Sequence, residues 1–206
     1  MKKMFLMALL SALIFAGCRS SQPVTQQYYL LELPSQYEGD WPERLSVLQG
    51  SALISNADIT DAYASHQIAV REDTHQIRYF NFNEWAIRPE KAFTQLLLNF
   101  YQENQVFEEV MHGRIIQAAD YILNTQVLVL ELDTRDDLLR ARLKVDFLLL
   151  DGQNEGDILH HYTADRNMEL ETKNLNSFAR AISQMFIEEL HAFSVEVLEN
   201  MPSNRS

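Results

Sequence analysis

The chain contains a single cysteine, Cys18. A thiolate is the most nucleophilic side chain a protein offers near neutral pH, so this residue is the first place to look for covalent chemistry. With no second cysteine it forms no intramolecular disulfide, and the fold must be held by its core alone. The other reactive residue types are poorly arranged. His160 and His161 are adjacent in a segment with strand character, where successive side chains point to opposite faces, so the two do not easily share one metal. His66, His75, His112 and His191 are scattered, whereas a metal site needs three or four converging ligands. The acidic pairs Glu108/Glu109, Asp136/Asp137 and Glu188/Glu189 are consecutive, which splays them apart, and they read as solvated charge. Asp151, Asn154 and Asp157 lack the alternating spacing and final Glu of a calcium loop and read as a hairpin turn. No Gly-rich phosphate loop and no Gly-x-Ser-x-Gly nucleophile elbow occurs. The expectation is a protein without catalytic residues, cofactor or metal.

The setting of Cys18 explains what its thiol is for. Lys2 and Lys3 open the chain, an apolar run follows over residues 4–16, and the small residues Ala16 and Gly17 precede the cysteine. A bilayer-spanning helix needs about 20 apolar residues, so this shorter run reads as the core of a signal peptide. The ending resembles the lipobox of bacterial lipoproteins, with Phe15 where Leu is commonest. In that family a thioether joins the cysteine sulfur to a diacylglycerol, and a peptidase cuts just before it. The resemblance implies removal of residues 1–17 and acylation of Cys18. The alternative is an ordinary signal peptide with an incidental cysteine. Arg19 follows Cys18, not the Asp that resembles an inner-membrane retention signal. In a Gram-negative host this implies the outer membrane, facing the periplasm.

The rest of the chain must position whatever the anchor holds in place. Hydrophobic residues make up 47% and charged residues 22%, as in an ordinary globular domain. The formal net charge of −12 disfavours nucleic acid and anionic headgroups as partners. Residues 18–27 read as a polar tether, 28–200 as one domain and 201–206 as a polar tail. Strand patterns cover 28–33, 44–54 with a bulge at Gly50, 67–72, 76–80, 106–110, 121–132, 138–150 and 158–168. Asp73-Thr74-His75 makes a hairpin turn between two of them. Residues 58–64 suit one helical turn, and 82–88 an aromatic-rich corner. Pro89 opens a helix through Asn104 with Phe93, Leu96, Leu97, Phe100 and Tyr101 at helical spacing. Asn174 caps a last helix whose stripe runs from Leu175 to Phe193. The predicted fold is α+β, a largely antiparallel sheet with the two amphipathic helices packed on one face.

One aromatic-rich stretch stands out. Tyr79, Phe80, Phe82 and Trp85 fall within seven residues, shortly before Pro89. They suit either a core cluster pinning the hairpin to the helix or a binding surface, since aromatics dominate interface energetics. The run IAVRED…IRYFNFNEWAIRPEKAFTQLLLNF resembles the ABC-type transport auxiliary lipoproteins of the PqiC-like type. Tyr79, Phe82, Trp85, Pro89 and Leu97 match that layout, as does the early Tyr28-Tyr29-Leu30 strand. Asp61-Ala62-Tyr63-Ala64 stands where the family shows a P-x-Y-L-D-R type stretch.

The resemblance implies a non-catalytic docking or assembly lipoprotein of an intermembrane lipid-transport system built on MCE (mammalian-cell-entry) proteins. The expected partners are a periplasmic MCE-domain protein and the membrane through the acyl anchor, with a homo-oligomer left open and nucleic acid excluded. Two rivals belong to other classes. A lipid-binding carrier would need an apolar cavity between sheet and helices, and an envelope hydrolase would need a convergent catalytic site.

Overall fold

The computed structural model describes residues 25–32, 47–113, 119–135, 138–154 and 157–201. The expected leader, Cys18, most of the expected tether and the expected tail after Met201 lie outside the described residues.

Alternation builds the sheet. In β8 (Arg140–Asp151) Leu143, Val145, Phe147 and Leu149 are fully buried, while Arg142, Lys144, Asp146 and Leu148 between them stay partly wet. That period of two marks a strand with one face on a core. β8 pairs antiparallel with β7 (Tyr121–Asp133) on one side and with β9 (Ile158–Glu169) on the other, giving the expected meander. The predicted hairpin also forms, between β4 (Gln67–Asp73) and β5 (Gln76–Trp85). It is longer than expected. The aromatic corner is strand as far as Trp85, because a bulged stretch between the pairs Ala69↔Tyr79 and Gln67↔Glu84 absorbs extra residues without ending the ladder.

The expectation of a largely antiparallel sheet is corrected. The sheet is mixed, and among the described residues five of its eight ladders run parallel. β1 (Gln27–Tyr29) lies parallel to β5. β2 (Leu48–Ile54) lies parallel to both β6 (Phe107–His112) and β7. β3 (Asp58–Ile59) and then β4 continue along the same edge of β7. The segment from β2 to β4 is thus one interrupted strand, paired in turn at Ala52↔Tyr121, Asp58↔Gln126 and Val70↔Leu132. The expected helical turn at 58–64 is half strand. β3 takes Asp58 and Ile59, and only Asp61–Tyr63 coil, as a 3-10 turn. Gly50 sits at φ +111° where β2 slips register against β6, and a Cβ there would lie 2.8 Å from Asp120 Oδ2.

Both helices form where the sequence places them. α1 (Pro89–Asn104) starts on Pro89, whose missing N–H costs nothing at the first helical position. It ends at Gln105, in the left-handed region at φ +49°. α2 (Leu175–Asn200) is capped by Asn174, whose side chain accepts from the Ser177 N–H at 2.9 Å. The helices do not lie side by side over one flat face, as expected. The sheet curls into a half-barrel; α2 lies along β8 and β9 and reaches β1, while α1 lies across β3 and β6. They meet in one core, where the Phe93 and Phe186 rings approach to 4.7 Å.

Candidate interaction surface

β5 and β1 position the residues that the sequence singles out, and the strand separates them. Ile77 and Tyr79 before the bulge in β5, and Trp85 after it, turn toward the core. Trp85 is 2% exposed and its ring centroid lies 5.7 Å from that of Phe178 in α2. Its backbone is locked on both sides: the Trp85 N–H donates to His66 O at 2.7 Å, and His66 Nδ1 lies 2.9 Å from Trp85 O. Tyr79 packs on the same core and its hydroxyl donates to Ala62 O at 3.0 Å. Pro89 is buried at the start of α1. Phe82 faces the other way and is 47% exposed. The structure therefore brings Trp85, Tyr79 and Pro89 to the core and leaves Phe82 outside.

Phe82 has company that sequence reasoning missed. The register Tyr28↔Glu84 puts Tyr28 beside the outer face of β5, and Leu30 follows on the same side because Tyr29 and Leu31 turn inward. Ile87 lies two residues beyond Trp85. Tyr28, Leu30, Phe82 and Ile87 are four of the seven large apolar residues exposed among the described residues. Phe80, by contrast, is partly buried and packs against the core, with the Arg78 guanidinium 5.1 Å over its ring. The alternation in YYLLEL was the available signal. The parallel pairing of β1 with a strand over fifty residues away was not.

A second cluster is built around a carboxylate. Glu131 lies in the apolar run of β7 with its side chain fully buried. Arg71 of β4 approaches it with two nitrogens, Nε at 3.1 Å and Nη2 at 2.8 Å from Oε2. The Tyr63 hydroxyl donates to the same oxygen at 2.7 Å, and Arg142 Nη1 of β8 lies 3.4 Å from Oε1. Burial, and then the hydrogen bond and negative charge of Glu131, push the Tyr63 phenol up to about 12. The cluster holds the 3-10 turn, β4, β7 and β8 together through charge-assisted bonds. Its hint in the sequence was a lone Glu among Val and Leu, without any indication of its partners.

The remaining candidates disperse. His160 Nε2 meets Glu196 of α2 at 3.1 Å, while His161 lies on the opposite face of β9. There it lines a polar groove of about 350 Å³ with Asn56, Asp58, Asn124, Gln126 and Asp146. Glu189 of α2 is buried against Tyr162 and Arg166 of β9. Burial and the Glu189 hydrogen bond raise the Tyr162 phenol. Among the described residues no three His, Cys, Asp or Glu side chains converge as a metal site, and no helix is long and apolar enough to cross a membrane. Between sheet and helices, where a lipid carrier would need its chamber, the rings of Phe93, Phe147, Phe186 and Phe193 touch one another.

The family model for the ABC-type transport auxiliary lipoprotein component matches residues 41–190. The chain belongs to that family. Its residues 41–190 span β2 through most of α2, so the match covers the Glu131 cluster, the hairpin, α1 and the larger part of α2. This auxiliary lipoprotein shares its fold with a DUF330-family protein from Xanthomonas campestris. The TM-score is 0.66 at 16% identity, covering 77% of this chain and 89% of that one. A second structure, of an uncharacterized protein, also gives 0.66 at 14% identity, covering 84% of this chain and 99% of the other. No curated protein matches the sequence.

Proposed function

We propose that this auxiliary lipoprotein is acylated on Cys18 after removal of residues 1–17. It sits on the periplasmic side of the outer membrane and serves an MCE-type lipid transport system as a docking or assembly component. The observation that carries the reading is the family match over residues 41–190. The residues around Cys18 support it from the other end of the chain: a short apolar run, Ala16-Gly17, then the one cysteine. Multiple acyl chains, each contributing about 0.8 kcal/mol per buried CH₂, make such an anchor close to permanent. Docking rather than catalysis suits side chains that are committed to structural pairs: Glu131 to Arg71, His160 to Glu196.

The test has two parts. Intact mass of the protein from its native host reads the anchor; a mature chain without acyl mass, or one retaining its leader, overturns that half. Capture of the periplasmic MCE protein by the acylated wild-type chain reads the docking half. A chain that is acylated but fails to capture it restricts the protein to some other transport system. Trp85→Ala is a poor probe of docking, because Trp85 is core.

A further inference from the structure

We infer that the outer edge of the sheet at β1 and β5, where Tyr28 and Phe82 are exposed on the strands and Leu30 and Ile87 just past their ends, rests on the lipid surface that holds the anchor. The inference depends on acylation of Cys18 as proposed above.

Eight residues, Arg19 to Gln26, separate Cys18 from β1. Fully extended, they reach no further than about 29 Å. The domain is therefore confined to a thin layer above the bilayer, and the strand nearest the anchor in sequence is the one bearing the exposed apolar face. The other three large apolar residues exposed among the described residues, Val47, Leu138 and Ile158, stand singly at the starts of β2, β8 and β9. Soluble surfaces carry single exposed apolar residues routinely, but several gathered along one pair of adjacent strands mark a contact. Its composition is that of an interfacial contact. Tyrosine and phenylalanine have apolar bodies that enter the headgroup boundary, and the tyrosine hydroxyl stays wet.

Charge argues the same way about mechanism. The full chain stands at −12 and loses Lys2 and Lys3 with the leader, so the mature domain gains nothing from anionic headgroups and the face must act by shallow apolar insertion. Such insertion is too weak to localise a free protein. Next to a permanent anchor it becomes an intramolecular event at high local concentration, and it needs only to set orientation. Strand addition by another copy is less well served: β1 is three residues long and offers little free edge.

The test uses the full acylated chain in vesicles of phosphatidylethanolamine and phosphatidylglycerol. Because the Cys18 sulfur is then a thioether, an introduced cysteine is the only thiol. Phe82→Cys, Tyr28→Cys and Thr163→Cys, the last an exposed site on β9, are each labelled with nitrobenzoxadiazole and quenched by nitroxide-bearing lipid. The expected result is severalfold stronger quenching and a blue-shifted emission at positions 82 and 28 than at 163. Ile87→Cys replaces either variant that fails to fold. Equal, weak quenching at all positions in a sample whose mass shows acylation overturns the inference and leaves the anchor standing. Absence of acyl mass overturns both. Protection of position 82 in detergent by raised protein concentration or by the periplasmic partner, without vesicles, assigns the face to protein and overturns the inference alone.

Discussion

Glu131 ties four segments of the fold to one carboxylate. It is a buried carboxylate whose partners come from three other segments, and deleting it removes the nearest acceptor of both Arg71 and Arg142, leaving Arg142 only Asp165 and Arg71 only Tyr63 and the Thr74 carbonyl among the bonds described. Breaking a buried pair by removing one partner costs about 3–5 kcal/mol. Glu131→Ala should therefore lower the urea midpoint sharply, while Glu72→Ala, whose Arg78 pair is exposed, should change it little. Tyr63 adds a pH signature. Its phenol is raised to about 12 in the folded protein, above the ordinary value of 10.0, so the folded state keeps its proton longer than the unfolded chain. That contribution is complete below pH 10 and is lost as pH rises toward about 12. Melting temperatures should fall across that window, and Tyr63→Phe, although less stable at pH 8, should show a shallower fall. At this scale the sequence was legible wherever a residue acts on its own neighbours. Pro89 opening α1 and Asn174 capping α2 follow from local backbone needs. Arg71 and Glu131 are sixty positions apart and carry no such mark. Trp85 and Phe82 could be sorted only once their strand was known to extend through both.

Elements were legible in proportion to how local their pairing is. The period of 3.6 in α1 and the alternation in β8 each report a face that is buried, and both appear where periodicity puts them. The β7–β8–β9 meander and the β4–β5 hairpin join neighbours in sequence. The bulge at Gly50 was readable from a glycine interrupting an alternating run. What misled was the short β3 followed by a 3-10 turn, since two residues of strand leave no period to detect. The α2 cap makes an element-scale prediction. The Asn174 side chain satisfies one of the free N–H groups of the first turn, and losing it costs about 1 kcal/mol. Asn174→Ala should lower the melting temperature by a few degrees, and Asn174→Ser should restore most of the loss. Amide hydrogen exchange should quicken in the first turn of α2 and stay unchanged in α1.

For the whole molecule, the correction from an antiparallel to a mixed sheet has one cause. β1, β2, β3 and β4 all find a parallel neighbour encoded far along the chain, and no local pattern announces a distant partner. A chain ending at His112 keeps β1 to β6 yet lacks β7, along which β2, β3 and β4 align. It should show no cooperative melting by circular dichroism, whereas the chain from Gln27 to Asn200 should. The interrupted strand thereby sets a schedule for biogenesis. A ribosome delivers β2, β3 and β4 well before Tyr121, so Ile54, Ile68 and Val70, fully buried in the finished protein, emerge with no seam to enter. Until the template arrives the nascent half is a client for holding chaperones and an opening for proteases, and its maturation proceeds from the back of the gene product forward.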